Sequence, residues 1–261
     1  MFLDINGART FIATGGQPLR PDLPFVVLVH GAGLDHSVWA LQSRWFAHHG
    51  RNVVAVDLPG HGRSAGAPLA SIAAMAHWMP ALFAALGIET AGLIGHSMGT
   101  LVALETAARH PSRVRALGLV SAATAMPVHP DLLAAAADNR HEAIEMLSIW
   151  GLGFTAGLGG SPAPGMWMMG GAETVWERAA PGVLHADLFA CDAYRNGPAA
   201  AAAIACPTAI VQGSRDMMTP LRGATDLAKS IPGAKLSVLD GAGHMLLTER
   251  PDEVLAALAA V

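Results

Sequence analysis

A serine lies between two glycines in the pentapeptide Gly95-His96-Ser97-Met98-Gly99. The pentapeptide follows a short apolar run and precedes a stretch with helical periodicity, which predicts a tight strand-to-helix turn where flanking side chains would collide with neighbours. A serine hydroxyl on such a turn is a candidate nucleophile, provided that a base accepts its proton during attack. The five residue types are common, so the position between strand and helix carries the prediction.

Two later residues could complete the chemistry if the chain order is nucleophile, acid and histidine. His244 follows the small residues of Asp240-Gly241-Ala242-Gly243, just beyond the last predicted strand. Asp216 follows the strand predicted at 208–211, at the sheet edge where parallel α/β sheets hold their sites. Asp240 is the alternative acid, but its place in the same loop as His244 makes the Nδ1 side of the ring hard to reach. The sequence therefore predicts Ser97 as nucleophile, His244 as base and Asp216 as the orienting acid.

Attack on a carbonyl creates an oxyanion, which preorganised backbone N–H groups stabilise. Met98 begins the helix after the serine, and Ala32 follows the first parallel strand in His30-Gly31-Ala32-Gly33. We expect the N–H groups of Ala32 and Met98 to form an oxyanion hole, with Gly31 and Gly33 leaving room for the substrate. A turn that simply needs glycines is the alternative interpretation of the second motif.

The elements that must position these residues follow from hydrophobic patterning. Apolar runs predict strands at 25–29, 53–56, 91–94, 116–120, 208–211 and 235–239. Helices are predicted between them, at 37–49, 71–86, 98–109, 220–230 and 251–260. This alternation predicts an α/β fold whose mostly parallel sheet has helices on both faces. A hairpin turning at Asn6-Gly7 should precede it.

The alternation stops between residues 123 and 198, a stretch rich in glycine, proline, methionine and tryptophan. We expect a helical cap insertion there, dividing a core domain of residues 1–122 and 199–261. Its apolar side chains, together with Gly31, are predicted to line an adaptable substrate pocket: Trp150, Met166, Trp167 and Met169. Packing of the cap onto the core is the alternative role for them. Arg178 and Arg195 could bind one carboxylate of a substrate.

Composition limits the classes of function. The chain has 261 residues, 52% hydrophobic and 14% charged, which predicts a single packed domain. A net charge of −4 without a basic cluster argues against binding to nucleic acid. No apolar stretch is long enough to span a membrane, and no leader peptide is visible, so a cytoplasmic location is expected. Cys191 and Cys206 are expected to be buried thiols. No metal, nucleotide or other cofactor is predicted, and the protein should be a monomer or small homo-oligomer acting on a small ester or acyl substrate.

Five segments stand in an order that resembles the α/β-hydrolase superfamily, particularly its branch of esterases, cofactor-free haloperoxidases and carbon–carbon bond hydrolases. They are His30-Gly31-Ala32-Gly33, Asp57-Leu58-Pro59-Gly60-His61-Gly62-Arg63-Ser64, Gly95-His96-Ser97-Met98-Gly99, Gly213-Ser214-Arg215-Asp216 and Gly241-Ala242-Gly243-His244. The resemblance implies a mostly parallel eight-stranded sheet whose second strand is antiparallel, a helical cap, and the catalytic and oxyanion roles given above. It also implies a structural role for the loop from Asp57 to Ser64.

The function expected from these residues is that of a carboxylesterase working through an acyl-enzyme on Ser97. Because the histidine must be neutral to act as a base, activity should fall below about pH 6.5. Serine at position 97 disfavours the relatives that attack with aspartate. A carbon–carbon bond hydrolase and a haloperoxidase or perhydrolase would use the same triad, and a ligand-binding receptor with little turnover is a further alternative.

Overall fold

Eight strands form one sheet in this computed structural model, which describes residues 1–160 and 167–261. The strands are β1 (Phe2–Ile5), β2 (Ala8–Ala13), β3 (Phe25–Val29), β4 (Asn52–Val56), β5 (Ala91–His96), β6 (Val114–Val120), β7 (Thr208–Gly213) and β8 (Lys235–Leu239). Their order across the sheet is β1-β2-β4-β3-β5-β6-β7-β8. Strand β2 pairs antiparallel with β1 and β4, and the pairs from β4 to β8 are parallel. The predicted fold class is confirmed.

The hairpin between β1 and β2 turns at the predicted dipeptide. Asn6 and Gly7 both have positive φ, at 54° and 78°, as a two-residue turn matching the strand twist requires.

Helices cover both faces of the sheet, as the strand patterns require. They are α1 (Ala40–His48), α2 (Ile72–Ala85), α3 (Met98–Arg109), α4 (Pro130–Ala137), α5 (Glu142–Gly151), α6 (Phe154–Gly157), α7 (Met168–Glu177), α8 (Val183–Ala193), α9 (Gly197–Ala202), α10 (Leu221–Ser230), α11 (Leu246–Glu249) and α12 (Pro251–Leu258). Along β3, Val27 and Val29 face the core that holds α2 and α3, whereas Val26 and Leu28 face the core that holds α1 and α12. A strand buried on both faces accounts for the continuous apolar run.

Helices α4 to α9 lie between β6 and β7, and we call residues 121–207 the inserted segment. Its helices α4, α5, α7 and α8 share a third buried cluster, which includes Leu132, Leu147, Met168, Trp176 and Leu188. Helix α9 instead packs against α3 and α10 beside the sheet. Wherever the structure describes the inserted segment, it contains no strand, as its sequence indicates.

The two cysteines differ in exposure. Cys191 is buried on α8, while Cys206, just before β7, is only partly buried, so the prediction of two buried thiols is wrong for Cys206. Cys206 lies in the turn that leads into β7, which forms one edge of the sheet together with β8, and less protein covers it there. Both cysteines are free thiols. Within residues 1–160 and 167–261, every helix is too short or too polar to cross a membrane.

Candidate active site

Ser97 lies on the sharp turn between β5 and α3, with a backbone φ of 52° and ψ of −121°. A serine rarely adopts this conformation, and it persists because the surrounding structure enforces it. A Cβ at Gly95 would lie 2.1 Å from the carbonyl oxygen of Gly99, and one at Gly99 would lie 2.2 Å from that of Val29. The two glycines therefore allow the close approach that lifts the serine above the sheet.

His244 and Asp216 meet at the carboxyl edge of the sheet, on the loops after β8 and β7. The Nδ1 atom of His244 lies 2.9 Å from Oδ2 and 3.1 Å from Oδ1 of Asp216. Both side chains are almost fully buried. A carboxylate in this position favours the tautomer with its proton on Nδ1, which leaves a lone pair on Nε2. Nε2 is itself buried and has no hydrogen-bond partner among the described residues.

Strand β7 and the loop after it supply donors that keep Asp216 ionised. The backbone N–H groups of Met218 and Thr219 donate to Oδ1, and the Thr219 hydroxyl and the Gln212 amide donate to Oδ2. Burial alone would raise the pKa of Asp216, but the charge of His244 and these hydrogen bonds outweigh it and lower the pKa. The acid can therefore stabilise a protonated imidazole throughout the pH range near neutrality.

Two residues that sequence reasoning did not assign hold the backbone of His244. The Nε2–H of His96 and the hydroxyl of Ser121 both donate to the His244 carbonyl oxygen, at 3.1 and 2.7 Å. Ser121 has a φ of 57° and directly follows β6. Burial lowers the pKa of His96 to about 3, so this imidazole stays neutral beside His244.

The carboxyl group of Glu249 also holds the loop that carries His244. Oε2 of Glu249 accepts the backbone N–H groups of Gly243 and Gly153, at 2.9 and 3.1 Å. The N–H groups of His244 and Met245 both donate to the carbonyl oxygen of Gly151. The inserted segment is thus bonded directly to the loop that carries the histidine.

Ser97, His244 and Ala32 open into one cavity of about 420 Å³ beneath the inserted segment. Besides the imidazoles and hydroxyls of the site, its walls are chiefly apolar. They comprise Ala32, Leu34, His96, Ser97, Met126, Pro127, Val128, His129, Leu132, Leu147, Trp150, Trp176, Leu188, Cys191, Met217, Met218, Thr219, His244 and Met245. Among the described residues that line the cavity there is no lysine, arginine, aspartate or glutamate.

The predicted pocket residues have mixed outcomes. Trp150 lines the cavity, and Gly31 lies against the site, because a Cβ there would be 3.2 Å from the Cβ of Ser97. Trp167 does not line it: it precedes α7 with its side chain 67% exposed, and Met169 lies outside the described lining, against the cluster within the inserted segment. Met166 lies outside the described residues.

The two arginines considered as carboxylate ligands are engaged elsewhere. Arg178 donates to Asp35 and to the hydroxyl of Ser37, on the outside of the loop after β3. Arg195 donates to the backbone carbonyls of Asp192 and Tyr194. Neither lines the cavity, so the suggestion that they bind a substrate carboxylate there is wrong.

One side-chain cluster has the composition of a cation site. Ligand atoms of Asp35, His36 and Asp57 lie within 4.8 Å of one another. Asp57 accepts both the backbone N–H and Nδ1 of His36, and Arg178 supplies a positive charge to Asp35 at 2.8 Å. These contacts satisfy the carboxylates with protein donors and give them a structural role in shaping the loop after β3.

The sequence is similar to those of known hydrolases. The model of the alpha/beta hydrolase family matches residues 26–257. A pimeloyl-[acyl-carrier protein] methyl ester esterase of Chromobacterium violaceum is 30% identical, over 95% of this chain and 96% of that protein. A putative carbamate hydrolase of Klebsiella pneumoniae is 28% identical, over 86% and 85% of the two chains.

Solved structures share the whole architecture. An enol-lactonase of Burkholderia xenovorans superposes with a TM-score of 0.86 at 23% identity, covering all of both chains. An esterase of Exiguobacterium antarcticum gives 0.86 at 18% identity, covering all of this chain and 98% of that one. At these identities the likeness concerns the fold, whereas the family match extends over nearly all of the sequence. The chain belongs to the alpha/beta hydrolase family.

Proposed function

We propose that this protein is a serine hydrolase that cleaves a small, neutral carboxylic ester through an acyl-enzyme on Ser97. The observation that carries the proposal is the cavity shared by Ser97 and His244, with Asp216 bonded to the far side of the imidazole. Esterases among the relatives agree with it. The lining without charged side chains supports an uncharged, apolar substrate, since an unpaired charge would lose its solvation there.

In the proposed reaction, Nε2 of His244 transfers protons while Nδ1 is bonded to Asp216. Nε2 of His244 accepts the hydroxyl proton as Oγ of Ser97 forms a bond to the ester carbonyl carbon. The bond to the alkoxy oxygen then breaks, and the same proton passes to the departing alcohol. A water molecule, deprotonated by His244, attacks the acyl-enzyme and releases the carboxylic acid and the free serine. Asp216 keeps the ring oriented and stabilises its positive charge in both halves.

The oxyanion of each tetrahedral intermediate is assigned to the backbone N–H groups of Ala32 and Met98. Met98 is the first residue of α3, so its N–H lacks a partner within the helix and lies at the positive end of the helix dipole. Ala32 lines the same cavity as Ser97.

The inserted segment has the properties of a cap. Helices α4, α5, α7 and α8 contribute Leu132, Leu147, Trp176 and Leu188 to the cavity wall. We propose the division made from sequence, with residues 123–198 as the cap and residues 1–122 and 199–261 as the core.

Labelling with a fluorophosphonate, followed by peptide mapping, tests the nucleophile. The native protein should be labelled at Ser97, and Ser97→Ala and His244→Ala should lose the label together with hydrolysis of nitrophenyl butyrate. Ser230→Ala is the matched control, because Ser230 is exposed at the end of α10. Labelling at another serine, or none in the native protein, would refute the proposal.

Assays of other substrates address the alternatives that share this triad. Faster turnover of a vinylogous diketone than of any ester would make the protein a carbon–carbon bond hydrolase. Bromide oxidation with peroxide and a carboxylic acid at a higher rate than ester hydrolysis would make it a perhydrolase. Ligand binding with no product burst in the native protein would indicate a receptor.

A further inference from the structure

Two side chains of the inserted segment hold one peptide unit of the loop after β3. The indole Nε1–H of Trp176, on α7, donates to the carbonyl oxygen of Ala32 at 3.1 Å. The N–H of Gly33 donates to Oδ2 of Asp187, on α8, at 2.8 Å. The oxygen and the N–H of the Ala32–Gly33 peptide are thus both paired with the inserted segment rather than with the sheet.

Asp187 is held from its other side by the loop after β4. Its Oδ2 also accepts Nε2–H of His61 at 2.7 Å, while Nδ1 of His61 lies 3.0 Å from the carbonyl oxygen of Pro59. Both nitrogens of His61 therefore face acceptors, as a charged imidazolium requires. Burial opposes that charge, but Asp187 outweighs burial and raises the pKa of His61. A buried ion pair fixes where the carboxylate meets Gly33.

Close packing leaves this loop little freedom. Trp176 is 6% exposed and Asp187 fully buried. Gly33 has a φ of 64°, and a Cβ there would lie 2.8 Å from Leu184 Cδ1 and 3.1 Å from Trp176 Cδ1. Helices α7 and α8 therefore rest directly on the backbone that follows Ala32.

The orientation of the Ala32 N–H depends on this arrangement. That N–H belongs to the Gly31–Ala32 peptide, which is joined to the Ala32–Gly33 peptide through the two dihedral angles of Ala32. When the second peptide is fixed at both of its polar ends, those angles are restricted, and the direction of the Ala32 N–H is restricted with them. An oxyanion hole needs this direction to be set before the reaction begins.

We propose that Trp176 and Asp187 are positioning residues that orient the Ala32 N–H, so that the inserted segment completes the oxyanion hole as well as covering the substrate. This inference rests on the proposed function, because it assigns the Ala32 N–H to the oxyanion. Neither residue contacts the reacting atoms through its polar group. Their effect passes through the Ala32–Gly33 peptide.

Two variants remove the polar contacts while keeping most of the packing. Trp176→Phe keeps an aromatic ring and loses the N–H donor to Ala32. Asp187→Asn keeps the shape and loses the charge that holds His61 and Gly33. The matched controls are Trp167→Phe, an exposed tryptophan just before the same helix, and Asp138→Asn, an exposed aspartate of the inserted segment.

The measurements distinguish a misoriented Ala32 N–H from a general loss of packing around the cavity. On a neutral nitrophenyl ester, each variant should lose about tenfold to a hundredfold in kcat, with KM within about twofold, since removal of one donor from an oxyanion hole costs 10²–10³. Affinity for an alkyl boronic acid, whose tetrahedral adduct presents an oxygen to the hole, should fall by the same factor. Affinity for the matching uncharged amide, and the apparent pKa of the rate profile, should stay as in the native protein.

The outcomes are decisive in each direction. Native kcat and boronate affinity in Trp176→Phe would overturn the inference, as would a loss confined to KM or matched by a loss of folded protein. Should Asp187→Asn not fold, Trp176→Phe decides alone, because comparing the boronate with the amide separates the lost hydrogen bond from the smaller side chain in the cavity wall. Absence of fluorophosphonate labelling at Ser97 in the native protein is a separate result, which refutes the proposed function before any variant is made.

Discussion

The hydroxyl of Ser121 donates a 2.7 Å hydrogen bond to the backbone carbonyl of His244. The N–H of Ser121 donates to Val211 on β7, so the residue is fixed by the sheet while its side chain reaches the histidine loop. Its positive φ directs the hydroxyl there at a cost in backbone strain. The end of β6 thus contributes to the site without contributing a reacting group.

Removal of that hydroxyl should slow catalysis more than it weakens substrate binding. Ser121→Ala leaves His96 as the remaining side-chain donor to the His244 carbonyl. We expect kcat to fall about threefold to tenfold, equivalent to one hydrogen bond, with KM unchanged. Steady-state kinetics beside Ser230→Ala provides the comparison. An unaltered kcat would show that His96 alone holds the loop.

The uncharged cavity should discriminate against anionic acyl groups. Nitrophenyl valerate and mono-nitrophenyl glutarate have acyl chains of equal length, but the second carries a terminal carboxylate. Because no described lining residue carries a charge that could pair with it, kcat/KM for the glutarate should be at least about tenfold lower, equivalent to about 1.4 kcal/mol. Equal values for the two esters would contradict a buried acyl subsite.

The serine turn should not tolerate a methyl group at its first glycine. In Gly95→Ala the new Cβ would meet the Gly99 carbonyl at 2.1 Å, and the rigid backbone on both sides cannot yield cheaply. We expect a loss of about 3 kcal/mol in the free energy of unfolding together with loss of labelling at Ser97. Gly157→Ala, which meets nothing within 4 Å, is the control. Native stability in Gly95→Ala would contradict the close approach of β5 and α3.

Two buried histidines predict how the free energy of unfolding depends on pH below neutrality. Burial lowers the pKa of His96 to about 3 and of His30 to about 4, so both are neutral when folded and gain protons on unfolding below pH 6.5. Stability should therefore fall as the pH drops, by up to about 1.4 kcal/mol per pH unit for each histidine. Urea unfolding at pH 7, 6 and 5 measures the slope. His30→Gln should reduce it, whereas exposed His48→Gln should not.

The ion pair between His61 and Asp187 should make stability depend on pH above neutrality. Its pKa is raised above the unfolded value of about 6.5, so folding takes up a proton. The resulting stabilisation is complete below pH 6.5 and is lost as the pH rises through the folded pKa. Asp187→Asn should remove this alkaline decline in urea unfolding between pH 6.5 and 9. A decline of native steepness in the variant would mean that another group causes it.

The sheet could be read from sequence because its signals are local. A run such as Phe25–Val29 is apolar throughout since both faces are buried, and the glycines at 95 and 99 mark the turn that holds the serine. The pairing of His244 with Asp216 could be predicted because both follow parallel strands, whose carboxyl ends share an edge.

The cavity walls were less predictable, because composition does not say which face of a helix is buried. On α7, Met168, Ala172 and Trp176 recur every four residues and are all buried, but only Trp176 lines the cavity. Trp167, just before the helix, is exposed, and Met169 packs against the buried cluster without lining the cavity. The role of Asp187 could have been found from the sequence in a similar way. It shares a helical face with Val183 and Cys191, and a carboxylate within an apolar stripe indicates a buried partner.

The peptide joining Ala32 to Gly33 has a consequence for how such enzymes diversify. A segment that only shaped the pocket could be exchanged between relatives by recombination, altering which esters are accepted and little else. Here the exchange would also remove the indole and the carboxylate that hold this peptide. A transplanted segment lacking both should give a chimera that binds ligands and turns them over poorly, so that exchange of this segment alters selectivity and rate together.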